Sequence, residues 1–225
     1  MPQEKICYVV GAGDFFSRGF SPQPDDFLIA ADAGYLRLQH MSLEPDIIIG
    51  DFDSLGAPPR HPHVIPLKKE KDETDMIAAL SEGFSRGYRR FHIFGGTGKR
   101  LDHTLANLQA LAWLAQRDAR GILFGEAEQI TAIKDSALFF PEGSAGTVSM
   151  FAHSDNAYGV NIYGLKYPLK DSLVTNQFPI GVSNELTGKT GCISVRQGTL
   201  WVLYPVHVDP MFGMQEDCST SPNML

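Results

Sequence analysis

The residues best suited to chemistry are two aspartates that follow an apolar run in the first half of the chain. Ile47–Ile49 predict a strand buried on both faces, and Asp51 and Asp53 follow it after Gly50. In an extended chain, residues two apart point to the same side, so the two carboxylates can converge. Two close negative charges require a cation or a shared proton, and Mg²⁺ is a cation that prefers oxygen ligands. A solvated surface loop is the alternative for an isolated Asp-x-Asp pair.

The elements before this pair predict a parallel sheet. Phe27–Ala31 indicate a strand that ends at Asp32, and Tyr35–Met41 indicate a short helix before the strand that precedes Asp51. A strand–helix–strand unit of this length makes neighbouring strands parallel. Ligands of open parallel sheets bind at the carboxyl ends of the strands, so the acids are expected at a ligand-binding edge. An earlier strand, Ile6–Val10, is followed by two glycines but lacks the third glycine of a dinucleotide-binding motif.

A second helix and a glycine-rich loop are predicted to supply the partners of these acids. Thr74 is a good N-cap for a helix from Asp75 to about Arg86, which places the Asp75 carboxylate in the first turn. The strand Phe91–Phe94 runs into a glycine-rich loop that ends in Lys99 and Arg100, and a helix follows to about Arg117. Amide groups, a helix N-terminus and two cations are typical of a phosphate site. For Asp102, a role as helix N-cap alone stays open, and His103 is interpreted as a hydrogen-bonding residue of the helix start.

Composition excludes several classes of protein. The 225 residues are 43% hydrophobic and 20% charged with a net charge of −7, and no basic face suggests a nucleic-acid partner. No apolar run approaches the roughly 20 residues of a membrane span. Cys7, Cys192 and Cys218 show neither metal-binding nor disulfide spacing, so a reducing cytoplasm is the expected compartment.

The second half of the chain predicts a different architecture. After Lys134 helical periodicity is absent, and short segments rich in strand-forming residues recur between turn residues. This pattern is typical of an antiparallel β-sandwich. The expected fold is therefore an α/β domain with a parallel sheet over residues 1–134 and a β-sandwich domain over residues 135–208. Residues 209–225 are expected to form a flexible tail.

Five segments in the same order give the chain its resemblance to a known family. Gly50–Ser54, Lys71–Asp75 and Arg100–Thr104 resemble the three catalytic motifs of the bacterial thiamine pyrophosphokinases, while Gly164–Leu169 and Val182–Glu185 resemble its C-terminal motifs. The resemblance covers roughly Ile6 to Tyr204. It implies transfer of a pyrophosphoryl group from ATP to the hydroxyl of thiamine with release of AMP, Mg²⁺ as cofactor, and a homodimer whose thiamine sites lie where two subunits meet.

The resemblance also assigns roles to individual residues. It implies Asp51, Asp53 and Asp75 as Mg²⁺ and phosphate-chain acids, and Arg100 with Asp102 as an arginine–aspartate pair, these five forming the catalytic set. The residues expected to bind ATP are Asp32, Thr74, Gly98, Lys99, Arg100 and His103. The residues expected to bind thiamine are Tyr167, Ser183 and Asn184. For Tyr167, stacking on thiamine and burial in the core both stay open. Lys99 stands where the family usually has glycine, which indicates either a reshaped turn or an additional phosphate donor.

Two other functions share part of this pattern. A Mg²⁺-dependent nucleotide pyrophosphohydrolase would use the same acids but needs no acceptor pocket, and the Ser183–Asn184 motif argues against it. A sensor that binds thiamine or nucleotide on the same fold would not need the full set of acids.

Overall fold

The fold was analysed in a computed structural model that describes residues 5–53, 59–68, 70, 72–214 and 218. Ser54 and Lys71 of the sequence motifs, and residues 215–217 and 219–225 of the expected tail, lie outside the described residues. The chain divides into two compact units, Met1–Glu126 and Ala127–Leu225. Across the described residues, the helices are too short or too polar to cross a membrane.

The first unit is built on a parallel sheet, as predicted. Its elements in chain order are β1 (Ile6–Val10), β2 (Phe27–Ala31), α1 (Gly34–His40), β3 (Ile47–Gly50), β4 (Val64–Pro66), α2 (Asp75–Ser85), β5 (Arg90–Phe94), α3 (Leu101–Ala115) and β6 (Arg120–Phe124). In the order β6-β5-β1-β2-β3-β4, each strand pairs in parallel with its neighbour. Helices α1 and α2 pack on β1 and β2, while α3 packs on β6.

The central strands are apolar because both faces of the sheet are covered. All five residues of β1 and all four of β3 are buried, which accounts for unbroken apolar runs instead of an alternating pattern. Helix α2 begins as expected, since Thr74 Oγ1 accepts a hydrogen bond of 3.3 Å from the N–H of Ile77. Helix α3 begins earlier than the apolar pattern suggested, at Leu101, and Arg100 occupies its N-cap position.

The second unit consists of two antiparallel sheets, which confirms the predicted β-sandwich. Its strands are β7 (Glu128–Lys134), β8 (Ala137–Phe140), β9 (Ala145–Ala152), β10 (Asn156–Tyr163), β11 (Leu169–Thr175), β12 (Asn184–Thr187), β13 (Gly191–Ser194), β14 (Thr199–Pro205) and β15 (Met211–Gly213). They pair in the orders β12-β9-β14-β7 and β11-β10-β13-β8-β15. One hydrophobic core is lined from both sheets, with Phe140, Met150 and Tyr204 among its members.

Two features of the second unit correct the sequence analysis. The segment Met211–Gly213 was expected in a flexible tail but forms β15, which pairs with β8. Cys192 and Cys218 were judged to lack disulfide spacing, yet both are buried and joined by a disulfide with a Cα–Cα distance of 6.0 Å. The cytoplasmic location stays a prediction, and the disulfide removes the argument from cysteine spacing on which it rested.

The first unit also contains a histidine inside an aromatic cluster. His92 of β5 lies between the rings of Tyr8 and Phe124, with ring centroids 5.2 Å away from each. Its Nδ1 is buried without a hydrogen-bond partner. Burial, followed by the charge of Arg90, lowers the pKa of His92 to about 4, and Asp26 opposes this in part. His92 is therefore neutral in the folded protein at neutral pH.

This histidine should make the folded state sensitive to acid. Because the pKa of His92 is lower in the folded than in the unfolded chain, the unfolded state binds the proton first, and stability falls as the pH drops from about 6.5 toward 4. We compare the free energy of unfolding of His92→Phe with that of the wild type. The difference should shift in favour of His92→Phe by about 2 kcal/mol when the pH is lowered from 7 to 4.5. Urea unfolding of both proteins at the two pH values measures this difference. Parallel pH profiles would contradict it, since the carboxylates titrate in both proteins.

Candidate functional site

A cleft at the carboxyl edge of the parallel sheet collects most of the residues singled out from the sequence. Its volume is about 420 Å³, and the described residues that line it all belong to the first unit. The predicted residues found in its wall are Asp32, Asp51, Asp53, Thr74, Asp75, Gly98, Lys99, Arg100 and His103. Four carboxylates and two permanent cations thus face one space, as expected for acids and cations that follow parallel strands.

The two central aspartates reach the cleft by a different local geometry from the one predicted. The strand β3 ends at Gly50, and Phe52 has φ +57° in the left-handed region, so Asp51 to Asp53 is a turn and not extended chain. The buried Phe52 side chain anchors this turn, and the N–H of Asp53 donates to Asp51 Oδ1 at 3.3 Å. The extended geometry was therefore wrong, although both residues line the same cleft.

Two further acids are held at the same edge by backbone contacts. Asp32 follows β2 with φ +48°, a conformation that aspartate tolerates better than most residues. The N–H of Asp32 donates to the carbonyl of Ile49 at 2.8 Å, which continues the pairing of β2 with β3 beyond the strand. Asp75 lies in the first turn of α2, directly after the cap Thr74, where the helix dipole stabilises its negative charge.

Two glycine-containing loops lie side by side in the wall of the cleft. The first, Gly11–Gly13, follows β1, and the second, Gly95–Gly98, follows β5. The N–H of Gly13 donates to the carbonyl of Gly95 at 2.7 Å, and a Cβ added at Gly13 would lie 2.6 Å from that same oxygen. Only glycine permits this approach of two backbones. From the sequence, the two glycines of Gly11–Gly13 were weak evidence of a site. The feature that could have identified this loop is its position directly after a strand adjacent to β5.

Lys99 links these two loops. It adopts φ +47°, a left-handed conformation that favours glycine. This conformation explains why glycine is usual here in the family that the chain resembles. Its ammonium donates to the carbonyl of Ala12 at 3.1 Å. The turn thus keeps a shape suited to glycine while a cation extends over the cleft, and two of the three ammonium donors are left for other acceptors.

Arg100 and Asp102 form a bidentate pair at the start of α3. Arg100 Nη2 lies 2.5 Å and Nε 3.2 Å from the two carboxylate oxygens of Asp102. Their hydrogen bonds lower the pKa of Asp102 and raise that of Arg100, although both side chains are about two-thirds exposed. Asp102 also accepts from the backbone N–H of His103 at 3.0 Å. It is not the N-cap, and it is not among the described residues that line the cleft, whereas its partner Arg100 is.

The donor chemistry of the cleft suits a hard divalent cation shared with a ligand. In the part of the chain that the structure describes, no group of three or more acidic, histidine or cysteine side chains is arranged to hold a metal ion. Mg²⁺ commonly binds through one or two carboxylates together with substrate phosphates and water. Carboxylates in the wall of an open cleft therefore fit an ion that arrives with its phosphate ligand.

The residues predicted to contact thiamine lie together in the second unit. Asn184 is buried at the start of β12, and its side chain accepts from the N–H of Tyr167 at 3.0 Å and donates to the carbonyl of Tyr167 at 2.7 Å. The Tyr167 side chain is 56% exposed, which excludes the core interpretation. Ser183 has φ +57° and is exposed, and its N–H donates to Ser149 Oγ at 3.0 Å. Asn184 thus holds the backbone of Tyr167.

Lys99 offers a specific test of the cleft. We expect Lys99→Gly to raise the Michaelis constant for ATP several-fold while leaving that for thiamine nearly unchanged, because the substitution removes a cation but keeps a residue suited to φ +47°. Steady-state kinetics with each substrate varied in turn measures both constants. Lys99→Arg is the matched control, since it keeps the charge and should retain most of the ATP affinity. An unchanged ATP constant in Lys99→Gly would make Lys99 a solvated loop residue.

Comparison with known proteins agrees with this division into two parts. The catalytic-domain model of thiamin pyrophosphokinase matches residues 23–123, and the vitamin B1 binding-domain model of the same enzyme matches residues 138–200. The thiamine pyrophosphokinase of Bacillus subtilis is 28% identical over 186 residues, which cover 76% of this chain and 84% of the relative.

Solved structures show the same fold over most of the chain. The crystal structure of thiamine pyrophosphokinase from Bacillus subtilis aligns with a TM-score of 0.79 and 25% identity, covering 89% of this chain and 99% of its own. The enzyme from Geobacillus thermodenitrificans aligns with a TM-score of 0.76 and 25% identity, covering 98% and 100%. The enzyme from Candida albicans, at 15% identity and a TM-score of 0.72 over 92% and 90% of the two chains, shares the fold.

Proposed function

Because the chain belongs to the thiamine pyrophosphokinase family, whose reaction forms thiamine diphosphate by pyrophosphoryl transfer, we propose that ATP is the donor and AMP the second product. The observation that carries this proposal is the cleft of the first unit, where four carboxylates, two cations and a glycine loop face one space. This combination suits a nucleoside triphosphate bound with a divalent cation. A pyrophosphohydrolase is not favoured, because the second unit matches a thiamine-binding domain.

Mg²⁺ is the proposed cofactor because of the charge balance of the cleft. Among the described residues that line the cleft, Asp32, Asp51, Asp53 and Asp75 outnumber the cations Lys99 and Arg100, so a bare triphosphate would meet more negative than positive charge from them. Asp51, Asp53 and Asp75 would supply the carboxylates that hold the ion, one or two of them directly and together with phosphate oxygens and water. When bound, Mg²⁺ neutralises phosphate charge and stabilises the charge that develops on the leaving oxygen.

The residues of the chain then position the phosphates for in-line attack by the thiamine hydroxyl on the β-phosphorus. Arg100 offers a planar fork of donors to the phosphate oxygens, and its pairing with Asp102 restricts the side chain to a defined orientation. The N-terminus of α3 begins beside Arg100 and adds the positive end of a 15-residue helix. Fixed positive groups stabilise the transferring phosphoryl group without reorganisation during the reaction.

The second unit is proposed to bind the acceptor. The exposed ring of Tyr167 offers a face on which an aromatic cation such as thiamine can stack. Asn184 fixes the backbone of Tyr167 through two hydrogen bonds, so it is proposed to orient that ring, while the exposed Ser183 hydroxyl can contact the pyrimidine. We further propose a homodimer in which each active site combines the cleft of one subunit with the acceptor residues of its partner.

The decisive experiment follows both products. Wild-type protein with ATP, Mg²⁺ and thiamine is expected to form thiamine diphosphate and AMP in equal amounts, and release of AMP should fall to background when thiamine is omitted. Asp53→Ala should fold normally but lose turnover by orders of magnitude, because it removes a proposed ligand of the ion. Chromatography of the nucleotides and thiamine esters measures both products.

Two outcomes of this assay would contradict the proposal. AMP release that is independent of thiamine would indicate a pyrophosphohydrolase. Near-normal activity of Asp53→Ala at limiting Mg²⁺ would show that Asp53 is not a ligand of the ion. The proposed reaction would still stand in that case.

The shared active site predicts that two inactive subunits complement each other. Asp53→Ala impairs the cleft and Tyr167→Ala impairs the acceptor side, and both side chains are exposed, so neither change should disturb folding. In a heterodimer with shared sites, one site carries both defects and the other carries none. Co-expressed heterodimers should therefore recover about half of the wild-type activity, by the two-fold symmetry of the assembly.

Heterodimers purified through two different affinity tags provide the measurement, and homodimers of each variant provide the controls. If each active site lay within a single chain, every site of the heterodimer would carry one defect. Activity of verified heterodimers no higher than that of the variants would therefore disprove the shared site without affecting the proposed reaction.

A further inference from the structure

The glycine loop after β5 has all of its carbonyl groups engaged. Five consecutive carbonyl oxygens, from Phe94 to Gly98, accept hydrogen bonds of 2.6–2.9 Å. Four of the donors are backbone N–H groups, and the donor to Gly96 is a side chain. In order along the loop, the donors are Gly11 N, Gly13 N, Asn107 Nδ2, Asp14 N and Arg100 N.

These hydrogen bonds matter for an anionic ligand. A carbonyl oxygen carries partial negative charge, and one that turned toward the cleft would repel a phosphate chain. A peptide group is planar with its C=O and N–H on opposite sides, so fixing the Gly96 carbonyl also fixes the N–H of Thr97 in the same plane. Asn107 therefore determines the orientation of the central peptide of the loop, the one that a side chain and not a backbone group holds.

Packing alone does not explain why Asn107, at a buried position of α3, is an asparagine. It is 6% exposed in the second turn of α3, and Ala110 and Leu111 of the same helix are buried apolar residues. Asparagine is a poorer helix former than alanine or leucine, and a buried amide needs a hydrogen-bond partner. Its Nδ2 donates to Gly96 O at 2.7 Å, which satisfies the amide and identifies the loop as its partner.

Gly96 confirms how closely the loop lies against this amide. A Cβ added at Gly96 would lie 2.6 Å from Leu123 Cδ1 and 3.2 Å from Asn107 Nδ2. A side chain at Gly96 would therefore collide with Leu123 of β6 and press against the amide of Asn107, so the loop lies close to both.

We propose that Asn107 is a positioning residue for the phosphate chain of the donor: by holding the Gly96 carbonyl, it keeps the glycine loop in the orientation that accepts an anion. This inference rests on the proposed function of the cleft. It assigns no contact with the reacting atoms to Asn107 itself.

Two substitutions test this role. Asn107→Leu keeps the side-chain size but removes the donor, and Asn107→Asp keeps the shape but replaces the donor with a carboxylate. We expect the dissociation constant of Mg·ATP, measured by calorimetry, to rise at least tenfold in both variants. The Michaelis constant for ATP should rise in parallel, with the constant for thiamine within twofold of wild type. Amide exchange in the peptide spanning Gly95–Gly98 should be faster in the resting variants.

A buried amide of the second unit gives a matched control. Gln129 is 5% exposed, and its Nε2 donates to the carbonyls of Val208 at 2.6 Å and Pro205 at 3.3 Å, bonds of the same kind outside the cleft. Gln129→Leu should lower stability at least as much as Asn107→Leu does but leave Mg·ATP binding unchanged. This comparison separates loss of a buried hydrogen bond from loss of loop orientation.

The outcomes separate this inference from the proposed function. If wild-type protein forms thiamine diphosphate from ATP but the folded Asn107 variants bind Mg·ATP within twofold of wild type, the positioning role is overturned and the function stands. If both variants fail to fold, Asn107 is a structural residue and the role is likewise overturned. If wild-type protein neither binds nor consumes ATP, the proposed function fails, and this inference fails with it.

Discussion

The site of the first unit depends on the backbone contact between the loops that follow β1 and β5. These strands are parallel neighbours. Their pairing continues past the end of β1, because the N–H groups of Gly11, Gly13 and Asp14 donate to the carbonyls of Phe94, Gly95 and Thr97, respectively. The contact requires a backbone without side chains, since a Cβ at Gly13 would collide with the Gly95 carbonyl. Peptide groups of these two loops therefore form part of the wall of the cleft, and the acids that follow β2 and β3 or begin α2 line the same cleft.

The electrostatics of the cleft follow from the same placement. Parallel strands bring acids from three different segments to one edge, and the N-termini of α2 and α3 supply partial positive charge beside them. Asp75 benefits from the dipole of α2, while the side chain of Asp102 is held by Arg100. Carboxylates of a kind that suits a divalent ion and cations of a kind that suits phosphates therefore line one space.

The sequence was most informative where burial or chemistry left a pattern. Fully buried strands such as β1 and β3 have continuous apolar runs, and the five ordered motifs predicted both the fold and the acids of the cleft. The strands β11, β12 and β15 leave a weaker pattern, because each lies at the edge of a sheet, where fewer side chains are buried and polar residues hide the periodicity. The loop Gly11–Gly13 and the amide of Asn107 contact the loop after β5, and the turn at Phe52 contains a buried side chain. No local pattern in the sequence records these features.

Lys99 shows how a departure from the family pattern can be accommodated by tertiary contacts. A left-handed φ costs a non-glycine residue about 1–2 kcal/mol, so glycine is favoured at this turn by local energetics alone. The ammonium of Lys99 reaches the carbonyl of Ala12 in the opposite loop, and this exposed hydrogen bond offsets part of that cost. A lysine can therefore stand at this turn with a smaller penalty than its backbone conformation alone would impose. The lysine adds a positive charge to the cleft, whereas glycine would leave Arg100 as the one permanent cation among the described residues that line it.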